Sequence, residues 1–123
     1  MIASTFVLLY VDSPAASAAF YADLLDLQPV ESSPNFVLFK LESGLNLGLW
    51  SRHAVEPKSL ASGGSTELCF SVADASVVND MYADWAARGV AIAQRPVAMD
   101  FGFTFAAVDR DGHRLRVFAP ARG

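Results

Sequence analysis

Residues 6–23 read FVLLYVDSPAASAAFYAD, an apolar run followed by a turn and an alanine-rich stretch. The tripeptide Tyr21-Ala22-Asp23 returns as Tyr82-Ala83-Asp84, which lies 61 residues further along the chain. Val11, which closes the apolar run, has its counterpart in Val72 at the same offset. Self-similarity at a fixed offset is typical of a duplicated structural unit. This stretch therefore predicts that the chain consists of two copies of one unit.

The first copy is predicted to have the element order β-α-β-β-β. Residues 6–11 form a strand-like run, Ser13 can cap a helix, and Pro14 suits the first helical position. Turn-forming residues separate the three short strands that are predicted to follow, at 28–31, 36–41 and 45–50. The predicted buried stripe of the helix, with a spacing of four residues, consists of Ala16, Phe20 and Leu24.

The second copy is predicted to have the same element order. A strand at 66–72 precedes a helix that Ser76 can cap and that Gly89 ends in a left-handed conformation. Its predicted buried stripe consists of Val77, Met81 and Trp85, and its three further strands are 90–93, 103–108 and 115–119. The sequence therefore predicts an α+β protein with two βαβββ units, whose mixed four-stranded sheets form a cleft. The predicted domain organisation is a first unit at 1–56, a linker at 57–65 and a second unit at 66–123.

The composition excludes several classes of protein. With 123 residues the chain is the size of one domain, and its 53% hydrophobic content excludes intrinsic disorder. A net charge of −4 provides no basic surface, so no nucleic-acid partner is expected. The single cysteine, Cys69, is typical of a chain that folds in a reducing compartment. The absence of a signal-like leader and of a long uncharged run predicts a cytoplasmic protein with no membrane partner.

Several segments resemble the vicinal oxygen chelate superfamily, which includes glyoxalases, dioxygenases and bleomycin-resistance proteins. Tyr10-Val11-Asp12, Ala19-Phe20-Tyr21 and Asp109-Arg110-Asp111-Gly112-His113 carry this resemblance, which covers nearly the whole chain. Leu49-Trp50-Ser51 with Glu56-Pro57, and residues 101–105, look like those of a binding subfamily, the phenazine-antibiotic resistance proteins. This resemblance implies paired βαβββ units, a homodimer, and a planar aromatic small molecule as the ligand.

The metal-binding positions of the superfamily are not retained in this chain. The resemblance places the four metal ligands of its enzymes at Phe6, Gly48, Glu67 and Arg116. Only Glu67 can bind a cation, whereas a catalytic zinc site needs about three protein ligands. We therefore expect no bound metal, no cofactor and no catalytic residue. Glu67 and Arg116 are predicted either to pair with each other or to leave Arg116 to meet an anionic group of the ligand.

Trp50 is the strongest candidate for recognition, because its indole ring can stack on a planar ligand and its N–H can donate a hydrogen bond. A large indole near Gly48 also suggests a slot for a flat molecule. The full predicted ligand-binding set consists of Tyr10, Phe36, Asn46, Trp50, Arg52, Glu67, Phe101, Phe103 and Arg116.

Three functions remain open at this point. The interpretation that the residues and the resemblance favour is a binding protein that sequesters a phenazine-like antibiotic and so confers resistance. The first alternative is an enzyme of the same superfamily, either metal-dependent or cofactor-free with Glu67 as general base. A carboxylate beside an arginine is a weak base at neutral pH, which counts against the cofactor-free enzyme. The second alternative is a structural or regulatory domain with a vestigial cleft.

Overall fold

A computed structural model describes residues 1–61 and 63–121 of the chain. The chain divides into two compact units, Met1–Ser62 and Gly63–Gly123. Both units have the predicted order βαβββ. The first contains β1 (Phe6–Val11), α1 (Pro14–Leu25), β2 (Glu31–Ser32), β3 (Phe36–Lys40) and β4 (Asn46–Ser51). The second contains β5 (Glu67–Ser71), α2 (Ala75–Ala87), β6 (Ala91–Met99), β7 (Gly102–Val108) and β8 (Arg114–Pro120).

Each unit has one mixed four-stranded sheet, which confirms the α+β fold class. The strand order is β1-β4-β3-β2 in the first unit and β5-β8-β7-β6 in the second. In each sheet the first and last strands of the unit run parallel, and the other neighbours are antiparallel. Among the described residues, neither α-helix is long and apolar enough to cross a lipid bilayer.

The start of α1 is as predicted, but the buried stripe of this helix is not. Ser13 caps the helix, its Oγ accepting a hydrogen bond from the Ala16 N–H at 3.2 Å, and Pro14 occupies the first turn. Phe20 is only half-buried and meets the Tyr21 ring edge-on. Because alanine lines nearly every side of this helix, the apolar pattern does not single out one face. The stripe that is buried against the sheet consists of Pro14, Ser17, Ala18 and Tyr21, instead of Ala16, Phe20 and Leu24.

The second helix differs from its prediction at its cap and in two of the three residues of its buried stripe. Asp74, not Ser76, is the N-cap, and its carboxylate accepts from the Val77 N–H at 3.2 Å and from the Ser76 hydroxyl at 2.6 Å. An aspartate two residues ahead competes successfully for the cap because its oxygens reach the same orphan N–H groups. The buried helix residues are Val78 and Trp85, so Trp85 is confirmed, whereas Val77 and Met81 are only half-buried. Gly89 has a φ of 83°, as predicted for the left-handed residue after the helix.

The strand β6 is much longer than predicted and is irregular. Its pairing with β7 shifts register between Ile92 and Gln94 and again between Gln94 and Val97. The irregular part contains Pro96, which cannot donate to a ladder and is tolerated because β6 is an edge strand. These shifts hide the period of two from the sequence. They also place Gln94 opposite Ala106 of β7.

The face of each sheet that packs on its helix carries the core. Leu9, Val11, Leu47 and Leu49 are buried in the first unit, and Leu115 and Val117 are buried in the second, as the alternation of side chains predicted. Trp85 of α2 packs edge-on against Phe105 of β7, with ring centroids 5.3 Å apart. The residues between these core positions point to the side away from the helix.

Candidate functional site

In each unit, the side of the sheet that is turned away from the helix carries most of the candidate site residues, and we call it the helix-free face. In the first unit this face is apolar and aromatic. Phe6, Leu8 and Tyr10 of β1 are 50%, 40% and 37% exposed. The residues paired with them on β4 are Asn46, Gly48 and Trp50. A group of exposed apolar side chains of this kind is a mark of a binding surface.

Tyr10 and Trp50 form the aromatic pair of the first helix-free face. They lie opposite each other on the parallel strands β1 and β4. Their ring centroids are 6.1 Å apart and the ring planes are inclined by 83°, an edge-to-face arrangement that aromatic rings favour. Trp50 is half-buried, so part of the indole is left accessible.

The predicted slot beside Trp50 is filled by the chain's own side chains. A Cβ atom at Gly48 would lie 2.8 Å from Cε1 of Phe36 and 2.6 Å from Cδ2 of Leu8. Phe36 pairs with Trp50 across β3 and β4, and its ring leans over the glycine. The face that Phe36 takes could not be predicted because three successive residues of β3, Val37, Leu38 and Phe39, are buried. Gly48 therefore accommodates Phe36 and not an empty slot.

Asn46 and Arg52, two further predicted site residues, already have partners within the first unit. The Asn46 amide donates to the Thr5 carbonyl at 3.2 Å. The Arg52 guanidinium lies 3.6 Å from the Asp12 carboxylate, with both side chains more than half exposed. His53 Nε2 lies 2.7 Å from the same carboxylate. Arg52, His53 and Asp12 form an exposed cluster, in which solvent screens the attraction between the guanidinium and the carboxylate.

In the second unit, Glu67 and Arg116 form the predicted ion pair on the helix-free face. Arg116 Nε donates to Glu67 Oε1 at 2.9 Å, and Nη2 donates to Oε2 at 3.1 Å. The side chains are 14% and 27% exposed for Arg116 and Glu67, respectively. Both oxygens of the carboxylate thus face one guanidinium, in the two-point geometry that arginine and carboxylate groups prefer.

Two residues that the sequence analysis missed complete the surroundings of Arg116. Its Nη1 donates to Gln94 Oε1 at 2.9 Å and to Thr104 Oγ1 at 3.2 Å. Thr104 is fully buried and donates in turn to the Val117 carbonyl at 2.8 Å. The alternation from Phe105, a core residue, could have indicated Thr104. Alternation could not have indicated Gln94, because the register of β6 shifts on both sides of this residue.

Phe101 lies beside this cluster, whereas Phe103 does not. The Phe101 ring centroid is 5.9 Å from Cζ of Arg116 and 5.9 Å from the Phe118 ring centroid. Phe103 pairs with Ala119, one position away from Thr104, and so points to the helix side of the sheet. There it lines a cavity of about 330 Å³ at the start of α2, with Ala73, Asp74 and Met99 among its neighbours. Phe103 therefore does not share a sheet face with Arg116, the other predicted ligand-binding residue of this sheet that contacts Glu67.

The electrostatics of the cluster suppress its acid-base and nucleophilic chemistry. Hydrogen bonding to Arg116 holds the pKa of the Glu67 carboxyl below its ordinary value, and the same contact raises the pKa of the guanidinium. The pKa of the Cys69 thiol is raised by desolvation and by the nearby charge of Glu67, whose Oε1 is 3.7 Å from Sγ. A lowered carboxyl pKa makes a poor base, and a raised thiol pKa makes a poor nucleophile.

The residues at the four implied metal positions do not fit a divalent metal. Phe6 offers a phenyl ring, and Gly48 offers only backbone beneath Phe36. Glu67 directs both oxygens at Arg116, which is itself a cation. Among residues 1–61 and 63–121, no three His, Cys, Asp or Glu side chains form a group that could hold a metal ion. The donor set therefore supports no step that uses a metal.

Comparison with known proteins identifies the family. A solution NMR structure of a protein from Agrobacterium tumefaciens is 53% identical in sequence, covers 99% of this chain and 100% of its own, and has a TM-score of 0.90. A glyoxalase/bleomycin resistance protein/dioxygenase family enzyme from Burkholderia phytofirmans PsJN is 20% identical, covers 97% and 100%, and has a TM-score of 0.84. A glyoxalase-related enzyme from Fulvimarina pelagi is 21% identical, covers 97% and 88%, and has a TM-score of 0.83.

The last two similarities concern the fold alone. Among curated proteins, none matches the chain. The family model of the Glyoxalase/Bleomycin resistance protein/Dioxygenase superfamily matches residues 4–117. Because this match spans nearly the whole sequence, the chain belongs to the Glyoxalase/Bleomycin resistance protein/Dioxygenase superfamily.

Proposed function

We propose that this protein binds a planar aromatic small molecule and holds it without changing it chemically. The observation that carries the proposal is the aromatic helix-free face of the first unit. Phe6, Leu8 and Tyr10 expose between 37% and 50% of their surface there, beside a half-buried Trp50. Covering such a surface with a flat apolar molecule is favourable because it removes apolar area from water and allows the rings to stack.

The polar cluster of the second unit favours binding over catalysis. Arg116 engages both oxygens of Glu67, and the pKa of this carboxyl is lowered by the contact. A general base for neutral pH would need the opposite change, a raised pKa. The thiol of Cys69 has a raised pKa and so stays protonated at neutral pH. These residues are therefore suited to contacting a ligand and not to transforming it.

The proposed ligand class is that of the phenazines, and the proposed role is antibiotic resistance by sequestration. The support is the resemblance of Leu49-Trp50-Ser51, Glu56-Pro57 and residues 101–105 to phenazine-resistance proteins. A phenazine is flat and apolar, with ring nitrogens that accept hydrogen bonds. The indole N–H of Trp50 is a donor that suits such an acceptor.

The proposal includes a homodimer in the cytoplasm. A second copy would cover part of the exposed apolar surface of the first unit, which monomeric proteins seldom leave bare. The single cysteine, Cys69, agrees with folding in a reducing compartment. Sedimentation equilibrium across a concentration series tests the dimer, because a monomer at all concentrations would contradict it.

Isothermal titration with phenazine tests the binding role. We expect saturable binding, with Trp50→Ala weakening it about tenfold, the equivalent of the roughly 1.4 kcal/mol that stacking and lost area contribute. The matched control is Leu60→Ala, which truncates a fully exposed apolar residue in the segment before the second unit and should leave the affinity unchanged.

Mass spectrometry of the recovered compound tests sequestration. We expect the mass of phenazine to be unaltered after prolonged incubation with the protein. If phenazine produced no heat in the titration and did not quench tryptophan fluorescence, the binding role would be contradicted. A changed mass would contradict sequestration and favour an enzyme.

A further inference from the structure

The charge state of the ligand can be inferred from the hydrogen bonds of Arg116, and this inference rests on the proposed function. A guanidinium has five N–H donors. In the described residues, four of those of Arg116 have partners, which are Glu67 Oε1, Glu67 Oε2, Gln94 Oε1 and Thr104 Oγ1. The remaining donor is one N–H on Nη2, and 14% of the side chain is exposed. A ligand can therefore receive one hydrogen bond from this group.

We propose that the helix-free face of the second unit accepts an uncharged planar aromatic molecule through a single acceptor atom and discriminates against an anionic one. The acceptor is a ring nitrogen or a carbonyl oxygen that takes the remaining Nη2 N–H of Arg116. A carboxylate would need two donors for its usual two-point contact, and Glu67 already occupies that edge of the guanidinium.

Charge reinforces this selectivity. An anion that reaches the remaining donor lies next to the Glu67 carboxylate, which shares the same Nη2 atom. The two negative charges repel each other at this distance. Because Glu67 and Arg116 are only partly exposed, water does not screen the repulsion completely. Displacing Glu67 instead would break both hydrogen bonds between its carboxylate and Arg116, which is costly.

The apolar part of the same face suits an aromatic ring system. Phe101 lies 5.9 Å from Cζ of Arg116, and its ring meets Phe118 edge-on at 5.9 Å with an inclination of 76°. Phe101 is 44% exposed, so a ligand ring can contact it. The remaining N–H of Arg116 and the Phe101 ring are thus adjacent. They suit a ligand that has one acceptor atom at the edge of a flat ring system.

Arg114 is the other cation on this face and must be distinguished from Arg116. It precedes Arg116 by two positions on β8, on the side away from Phe118, and it is exposed. It lies opposite Glu67 in the register of β5 and β8, and its charge also lowers the pKa of Glu67, so it is coupled to the cluster. The matched control in the experiment below is therefore Arg110, an exposed cation in the connection between β7 and β8.

The test compares phenazine with phenazine-1-carboxylate, which is an anion at pH 8, by isothermal titration at constant ionic strength. We expect the wild-type protein to bind phenazine at least about tenfold more tightly than the carboxylate. Glu67→Gln removes the competing charge and frees Arg116, so the ratio of the two affinities should shift by about tenfold towards the carboxylate. Arg110→Gln should leave the ratio within about twofold of the wild-type value.

Each result has one meaning. Preference of the wild-type protein for the carboxylate, or an unchanged ratio in folded Glu67→Gln, overturns this inference and leaves the proposed binding function standing. Failure of the wild-type protein to bind either compound overturns the proposed function and the inference together. If the circular dichroism spectrum shows that Glu67→Gln does not fold, the relative affinities of the wild-type protein for the two compounds test the inference alone.

Discussion

Arg116 holds both carboxylate oxygens of Glu67, through Nε at 2.9 Å and Nη2 at 3.1 Å. Both partners are ionised and planar, so the contact is stronger than a hydrogen bond between neutral groups. The two side chains come from opposite ends of the second unit, 49 positions apart in sequence. The pair therefore links the parallel strands β5 and β8 at their side chains as well as through their backbone ladder.

We expect Arg116→Gln to lower the free energy of unfolding by about 1 kcal/mol, because the change removes two charge-assisted hydrogen bonds from the partly exposed Glu67 carboxylate. The measurement is urea denaturation at pH 7, followed by circular dichroism. The matched control is Arg95→Gln, an exposed position on β6, for which we expect a change within about 0.5 kcal/mol. Equal stabilities of the two variants would contradict a stabilising role for the pair.

The same pair predicts a dependence of stability on pH. Contact with Arg116 lowers the pKa of Glu67 from 4.5 in the folded protein, so the unfolded chain binds its proton more readily. The stabilisation is therefore fully present above pH 4.5 and is lost as the pH falls from there through the folded pKa. Glu67→Gln removes this contribution. We expect the difference in unfolding free energy between wild type and Glu67→Gln to shrink on acidification; a difference that grows would contradict the direction of the pKa shift.

The packing of Phe36 over Gly48 predicts an energetic coupling between these two positions. Gly48→Ala places a methyl group 2.8 Å from the Phe36 ring, and we expect it to lower the free energy of unfolding by about 1 kcal/mol. Phe36→Ala removes the ring, so Gly48→Ala should cost about 0.5 kcal/mol less in that background. Leu8 Cδ2, at 2.6 Å, accounts for the part that is not rescued. Additive costs in the double-mutant cycle would show that the ring does not occupy this position in solution.

Two glycines with positive φ are predicted to differ sharply in their tolerance of alanine. A Cβ at Gly102, where φ is 152°, would clash with the Ala119 carbonyl oxygen, which belongs to the neighbouring strand. Because backbone cannot move aside as a side chain can, Gly102→Ala should cost at least about 3 kcal/mol. Gly89, with φ of 83°, has no atom within 4 Å of that point, so Gly89→Ala should cost only about 1 kcal/mol. Thermal unfolding of both variants checks this order, and similar losses would contradict it.

The cap of α2 gives a further prediction. Asp74→Ala removes the acceptor of the Val77 N–H and should lower the free energy of unfolding by about 1 kcal/mol. Ser76→Ala removes only the hydroxyl that donates to Asp74, and should cost no more than about 0.5 kcal/mol. The reverse order of the two losses in chemical denaturation would restore Ser76 as the functional cap.

Most of the fold could be predicted because both halves of the sequence show the same order of strand and helix signals. Local sequence signals predicted the start of α1 at Ser13 and Pro14 and the core position of Trp85. The structure has both features. The stripe of α1 could not be predicted, since choosing among its alanines depends on how closely the helix approaches its sheet. Ser17 is buried at that contact although it is polar.

The candidate site could be predicted where alternation is regular and not where it breaks. Glu67 and Arg116 lie on simple strands, so their shared face and their ion pair followed from counting positions. Gln94 lies between two register shifts, and the sequence gives no sign of them beyond Pro96. Phe36 required knowledge of which residues of β3 are buried, a tertiary property that its apolar neighbours conceal.

The duplicated architecture has a consequence for how this protein can change over evolutionary time. Position 6 holds a phenylalanine, and its counterpart 61 residues later, position 67, holds a glutamate. Each copy has its own helix and its own ladder of strands, so the ancestral scaffold persists in both while their outward chemistry diverges. The outward face of the first copy is apolar, whereas that of the second copy carries an ion pair. A protein engineer can accordingly rewrite either half while keeping the other as an unaltered reference.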